Sequence, residues 1–196
     1  MARAIYYATS NKGKVNSLRR EFSKYGTGVI QVSLDIPECR SADVSEIAVE
    51  KVKFVYRTIR KPVVASDAGF YIKSLNGFPM AFVNFALDTI GLEGLLDLTR
   101  GKNKTCEFRE CLAYMDAGLT EPECFVSVVK GKISDEQRGE MREHLWSRLG
   151  LIFIPESHEK TLAEMPYEEY LKWRSMKREM ESSSYLFAKW FIERNS

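Results

Sequence analysis

The sequence predicts an α/β fold with helices flanking a central sheet. From Ala4 to Asp67, short apolar runs alternate with amphipathic stretches in the order β-α-β-α-β, the pattern of parallel strands buried on both faces. Further on, two longer strand-like runs flank the turn "DAGLTEPE", which predicts an antiparallel pair and so a mixed sheet. With 196 residues, 44% of them hydrophobic and 29% charged, the chain can bury a sizeable core. No repeat or linker interrupts it, and residues 1–196 read as a single domain with a cleft.

The elements follow in order. "AIYYAT" (4–9) is a buried strand bounded by the polar "SNKGK". A helix comes next, with Val15, Leu18, Phe22 and Tyr25 on one stripe and Gly26 as its stop. "GVIQVSLDI" (28–36) is the second strand. A helix over about 44–60 turns Ala48, Val52, Val55, Tyr56 and Ile59 inward. Pro62 opens the third strand, "PVVASD", an apolar run that ends on Asp67, with Ala68-Gly69 as a break and Asn76-Gly77 as a further turn. "FVNFALDTIGLEGLLDLTRG" is helical with a break at Gly91. Residues 105–116 and 123–134 are antiparallel strands, and "LIFIP" (151–155) is another buried strand. From Tyr167 onward the chain is helical, aromatic and basic.

Composition excludes several classes. With 29 basic and 27 acidic residues, the net charge of +2 gives no global drive toward nucleic acid or an anionic membrane. No apolar run spans a bilayer, and that of "MARAIYYATS" is too short for a signal peptide. The four cysteines form no CxxC pair and there are only two histidines, which leaves few zinc ligands. Free thiols without a secretion signal point to the cytoplasm. No Ser-His-Asp or Cys-His set stands out.

In open α/β sheets ligands bind beyond the carboxyl ends of the strands, and three candidate elements fall there. Thr9-Ser10-Asn11-Lys12-Gly13-Lys14 joins the first strand to the first helix. Its small polar residues and the helix N-terminus suit an anion, and Lys14 adds a mobile positive charge. Pro37-Glu38 follows the second strand, with Lys51 on the next helix; Glu38 has the hard oxygens magnesium prefers, and Lys51 suits a phosphate. Asp67 ends an apolar run, where a carboxylate must be paired or metal-bound. Each also has a plainer reading, as a polar loop or a surface charge. Together they suggest phosphoryl chemistry assisted by a hard cation.

In this order the three elements resemble the inosine triphosphate pyrophosphatase family, the house-cleaning nucleoside triphosphate pyrophosphatases. Thr9, Asn11 and Lys14 match its T-x-N-x-x-K loop, Glu38 its Pro-Glu and Lys51 its helix lysine. "SDAGFYIKSLNGFPM" is similar to its acidic strand end and "ALNGFPG", and Thr161 to Met165 repeat its "T-x-AEM". The resemblance implies an elongated, two-lobed fold with a central mixed β-sheet flanked by helices and an active-site cleft between lobes. It also implies a homodimer that uses Mg2+ to convert a nucleoside triphosphate, such as inosine or xanthosine triphosphate, to the monophosphate and pyrophosphate. On this analogy Asp67, Lys14 and Lys51 are catalytic and Glu38 and Asp67 hold the metal. Thr9, Ser10, Asn11, Lys14, Lys51, Gly69 and Arg174 contact substrate.

The chain departs from the family at defined places. "EDSG" becomes Ser66-Asp67-Ala68-Gly69, the glycine after "NGFP" is Met80, and a basic residue expected soon after is Asn84. The "F-G-(W/Y)-D-P" aspartate becomes Gly150, the late "S-H-R" becomes Arg174-Ser175-Met176, and a lysine becomes Tyr170. Phosphate-facing elements survive better than base-reading ones, so a relative that binds nucleotide without turnover is the alternative reading. On the basic late helix, Trp173, Met176 and Met180 form a stripe that reads either as core or as the backing for Arg174 or Lys177 at a ligand. Tyr185, Phe187, Trp190 and Phe191 read as an interface or a cap on the core.

Overall fold

The structure, a computed structural model, describes residues 4–37 and 39–195, with backbone alone for 177–181. Among these residues seven strands form one sheet: β1 (Ala4–Ala8), β2 (Gly28–Val32), β3 (Val63–Ile72), β4 (Pro79–Met80), β5 (Thr105–Met115), β6 (Glu123–Ile133) and β7 (Phe153–Pro155). Their hydrogen-bonded order is β2-β1-β3-β5-β6-β7, with β4 on β3. β1 is parallel to β2 and to β3, whereas β4 runs against β3 and β7 against β6. The sheet is therefore mixed, as expected. Among the described residues six α-helices complete the fold: α1 (Lys12–Phe22), α2 (Val44–Ile59), α3 (Val83–Thr89), α4 (Gly91–Thr99), α5 (Tyr167–Glu181) and α6 (Ser183–Asn195). None is long and apolar enough to cross a membrane.

The chain divides into two compact units. The first takes residues 1–68, 110–127 and 179–196, the second 69–109 and 128–178. In the first unit α1 buries Val15, Leu18 and Phe22 against Ile5, Tyr7, Val64, Leu112 and Tyr114. Tyr25 does not join this stripe: α1 stops at Phe22, the chain has left helical spacing by Tyr25, and its ring is 54% exposed. Asp43 caps α2 by accepting the Ser45 N–H at 2.8 Å, and Val44, Ile47, Ala48, Val52 and Val55 are buried beneath it. Tyr56 and Ile59 are only half-buried.

The late aromatic residues cap this core. Phe187 and Phe191 pack edge-on against Phe22, and Phe187 also meets Tyr114 and Phe125. A polar clamp fixes the end of α6. Arg194 donates two hydrogen bonds to the Asp116 carboxylate, at 3.1 and 3.2 Å, and Tyr114 Oη and Gly118 N–H donate to the same group. Burial raises the Asp116 pKa, but these donors and the Arg194 charge outweigh it and leave it below 3.8. A carboxylate depressed in the fold stabilises it above the unfolded pKa and loses that contribution as pH falls through the folded value. Asp116→Asn is therefore expected to melt below the native chain at pH 7, with the gap closing in thermal melts taken at progressively lower pH below 4.

The second unit has its own core, in which Phe70, Phe108 and Phe153 stack among Leu95, Leu149, Ile152, Met165 and Tyr170. Gly91 breaks the α3–α4 run as expected, with φ of +68°. Residues 148–151 form a helical turn, so β7 is shorter than "LIFIP". On α5, Trp173 is buried but Met176 is 63% exposed, so the apolar stripe is not continuous; the Met180 side chain lies outside the described residues.

Candidate active site

Asp67 was expected to end a strand, but β3 continues past it to Ile72. Ladder pairing explains the difference. β1 pairs with β3 only as far as Ala8↔Ala65, after which β4 takes over at Phe70↔Met80. Asp67 thus lies just beyond the carboxyl end of the parallel ladder, within an unbroken strand. Gly69 permits this crossover: a Cβ there would lie 2.6 Å from the Met80 carbonyl oxygen. Its first role is packing within the second unit. Gly69→Ala is expected to cost about 1–3 kcal/mol of stability, read as a lower Tm, with activity per folded molecule retained.

The loop after β1 is shaped by the residues that sequence pattern selected. Asn11 caps α1 by accepting the Lys14 N–H at 3.2 Å, and its own N–H donates to Thr9 Oγ1 at 3.1 Å. Gln31 Nε2 holds the Thr9 carbonyl at 2.8 Å. Ser10 is exposed beside them, and the first turn of α1 carries no acidic residue to neutralise its positive end. Thr9 and Asn11 therefore build the loop, while Ser10 and Lys14 are its reaching groups.

Two ion pairs stand on either side of β3. Lys14 Nζ donates to Ser66 Oγ at 2.9 Å and lies 3.4 Å from Glu110 Oε1. Lys51 Nζ donates to Asp67 Oδ1 at 2.5 Å. Ser66 and Asp67 are consecutive on a strand, so their side chains leave opposite faces. α1 delivers one lysine to one face, α2 the other lysine to the other face. All four charged side chains are partly solvated, the carboxylates at 32% and 18% exposure. That exposure lets an incoming anion compete for the lysines.

Pattern reading missed Tyr7, Ser183 and, above all, Glu110. Tyr7 Oη and Ser66 Oγ are 2.8 Å apart, and Ser183 Oγ donates to Glu110 Oε2 at 3.0 Å. Burial and then the Glu110 charge push the Tyr7 hydroxyl far above its ordinary value, so it stays neutral and serves as a hydrogen-bond partner. Ser66 stands where the resemblance expects an acid. Here the carboxylate facing Lys14 comes instead from Glu110 on β5. Its signal was a charge inside the strand run "ECLAYM", the same burial logic that selected Asp67.

Glu38 lies outside the described residues. Arg174 is exposed on α5 in the second unit, where the Tyr170 hydroxyl donates to the His144 carbonyl at 3.3 Å. Gly150 is buried there with Leu145 and Leu162 around it, apolar surroundings hostile to the aspartate it replaces. Among the described residues no group of three or more His, Cys, Asp or Glu side chains could hold a metal ion.

The sequence model of the Ham1 family matches residues 5–178. The chain belongs to the Ham1 family. Among curated relatives it is 34% identical over 190 residues to the dITP/XTP pyrophosphatase of Methanopyrus kandleri, covering 95% of each chain. It is likewise 34% identical over 168 residues to the dITP/XTP pyrophosphatase of Thermococcus kodakarensis, covering 84% of this chain and 86% of the relative. Solved Ham1 structures share the fold. The Staphylococcus aureus Ham1 protein superposes with a TM-score of 0.79 at 22% identity, covering 99% of this chain and all of the other. That of Coxiella burnetii gives 0.81 at 20% identity, covering 97% and 99%. The Ham1 fold thus persists at 20–22% sequence identity.

Proposed function

We propose that this chain hydrolyses a nucleoside triphosphate, a purine or modified purine such as inosine or xanthosine triphosphate, to the monophosphate and pyrophosphate, as a cytoplasmic homodimer. The carrying observation is the pair of lysine–carboxylate contacts, Lys14 with Glu110 and Lys51 with Asp67, at the end of the β1–β3 ladder. A triphosphate is a stronger anion than either carboxylate. On binding, its oxygens draw both lysines and the N–H groups at the start of α1, and Asp67 and Glu110 are released from their partners. Water then attacks the α-phosphorus, the bridging α–β bond breaks, and pyrophosphate leaves. Asp67 takes the water proton and returns it to solvent.

The site's donors fit a magnesium ion. Magnesium keeps most of its waters and is held by one or two carboxylates together with substrate phosphates, so a pre-built cage of three side chains is not required. Asp67 would hold it, with Glu38 retained as a second ligand on the resemblance alone; the ion would neutralise phosphate charge. The test is pyrophosphate release from a panel of inosine, xanthosine and the four ordinary triphosphates, with and without magnesium. Release that depends on magnesium and is lost in Asp67→Asn is expected. Tight nucleotide binding with no pyrophosphate would favour a non-catalytic binding protein instead. Because Gly150 and Arg174 replace base-reading groups, discrimination between bases is expected to be shallow across the panel.

A further inference from the structure

The proposed hydrolysis leaves Ser66 without a chemical role, yet its hydroxyl has the surroundings of a nucleophile. Ser66 Oγ accepts a hydrogen bond from Lys14 Nζ at 2.9 Å and lies 2.8 Å from Tyr7 Oη. The same ammonium lies 3.4 Å from Glu110 Oε1, so one mobile cation serves both a hydroxyl and a carboxylate. Ser183 holds Glu110 in place by donating to its other oxygen at 3.0 Å. β1 pairs with β3 no further than Ala65, so that partner strand has ended by Ser66, which is half-buried. A hydroxyl near a base that a third group orients is the pattern of an activated serine.

We propose that Ser66 is a self-phosphorylation site, taking the γ-phosphoryl group of a bound nucleoside triphosphate. The proposal rests on the reading that such a triphosphate binds beside Lys14. On binding, Lys14 turns from Glu110 to the phosphate, which opens the carboxylate to the Ser66 hydroxyl. Glu110 takes the hydroxyl proton and Ser66 Oγ attacks the γ-phosphorus. The Oγ–P bond forms, the bond from that phosphorus to the β–γ bridging oxygen breaks, and the nucleoside diphosphate leaves with the oxygen. Glu110 then gives its proton to solvent. One phosphoryl group has moved, and nothing is oxidised or reduced.

Charge selects the γ-phosphate. As the terminal group it carries the most negative charge, so a mobile ammonium and the N–H groups at the start of α1 attract it most strongly. The first turn of α1 holds no acidic residue to oppose this. Lys14 then neutralises charge on the transferring group, which is the main demand of phosphoryl transfer. Asp67 leaves the opposite face of β3 and serves the α-phosphorus. The two reactions are thus divided between Glu110 and Asp67.

The experiment incubates the purified full chain with magnesium and with inosine or adenosine triphosphate labelled on the γ-phosphate. Protein-bound label is counted and mapped by mass spectrometry, and pyrophosphate release is measured in the same samples. Label is expected on Ser66, at a rate per chain that does not change with protein concentration. Ser66→Ala should abolish it, and Glu110→Gln should slow it by about 100-fold or more, the range for losing a general base. Thermal melts check that both variants fold, and mapping on the native chain decides the site without them. Label at other residues only, a rate per chain that rises with protein concentration, or native-rate labelling of Glu110→Gln would each overturn the proposal. Unlabelled protein that releases pyrophosphate overturns it and leaves the hydrolysis standing. Label on Ser66 without pyrophosphate does the reverse, and the absence of both overturns both.

Discussion

Asp67→Asn is expected to slow triphosphate hydrolysis by about 100- to 10,000-fold, the range for removing a positioned proton acceptor. The substitution is nearly isosteric and keeps a hydrogen-bond acceptor within reach of Lys51, now 2.5 Å from the carboxylate. It removes the negative charge that accepts the water proton and suits a hard cation. Lys51 no longer has to leave a carboxylate to reach a phosphate, so KM is expected to hold or fall while kcat carries the loss. Stability should change little, because both partners are partly solvated and exposed ion pairs contribute about 0–1 kcal/mol. Initial rates of pyrophosphate release alongside thermal melts decide the matter. Native-like turnover in a correctly folded variant would sink the assignment of Asp67.

Lys14→Met is expected to lower kcat/KM by about 100-fold, mostly through KM, as a lost charge-assisted contact of about 1.5–3 kcal/mol implies. The loss has two parts. One is the missing cation. The other is Glu110, which without Lys14 would meet the incoming phosphates as an unbalanced negative charge. The two can be separated: Lys14→Met combined with Glu110→Gln should bind nucleotide better than Lys14→Met alone, a coupling a double-mutant cycle measures directly. Additive losses in the cycle would show that Glu110 does not face the phosphates.

Much of this architecture was legible in the sequence because the information is local. The alternation up to Asp67, the break at Gly91 and the antiparallel run around "DAGLTEPE" each depend on residues close together in the chain. Asp67 was legible for the same reason, since a carboxylate in "PVVASD" needs a partner wherever the strand lies. The identity of that partner as Lys51, rather than the metal alone, was not. Glu110 was harder still. Its meaning depends on β5 lying next to β3, a pairing of strands about 40 residues apart that no local period encodes. Ser66 was read as the loss of an acid, and only the strand order shows which residue faces Lys14 in its place. The extent of β3 was misjudged because a glycine after a charge looks like a turn. Here it is the space that the Met80 carbonyl needs.

The last helix is fastened at both ends to the same stretch of chain. Ser183, at its start, holds the Glu110 carboxylate, and Arg194, at its finish, grips Asp116. This makes α6 a splint laid along the second half of β5. Trimming the chain back from Asn195, or fusing a bulky purification tag there, loosens the splint and frees the carboxylate opposite Lys14. Losses of activity after such changes would be registered at a distance from the cut, and moving the tag to the other terminus should recover them.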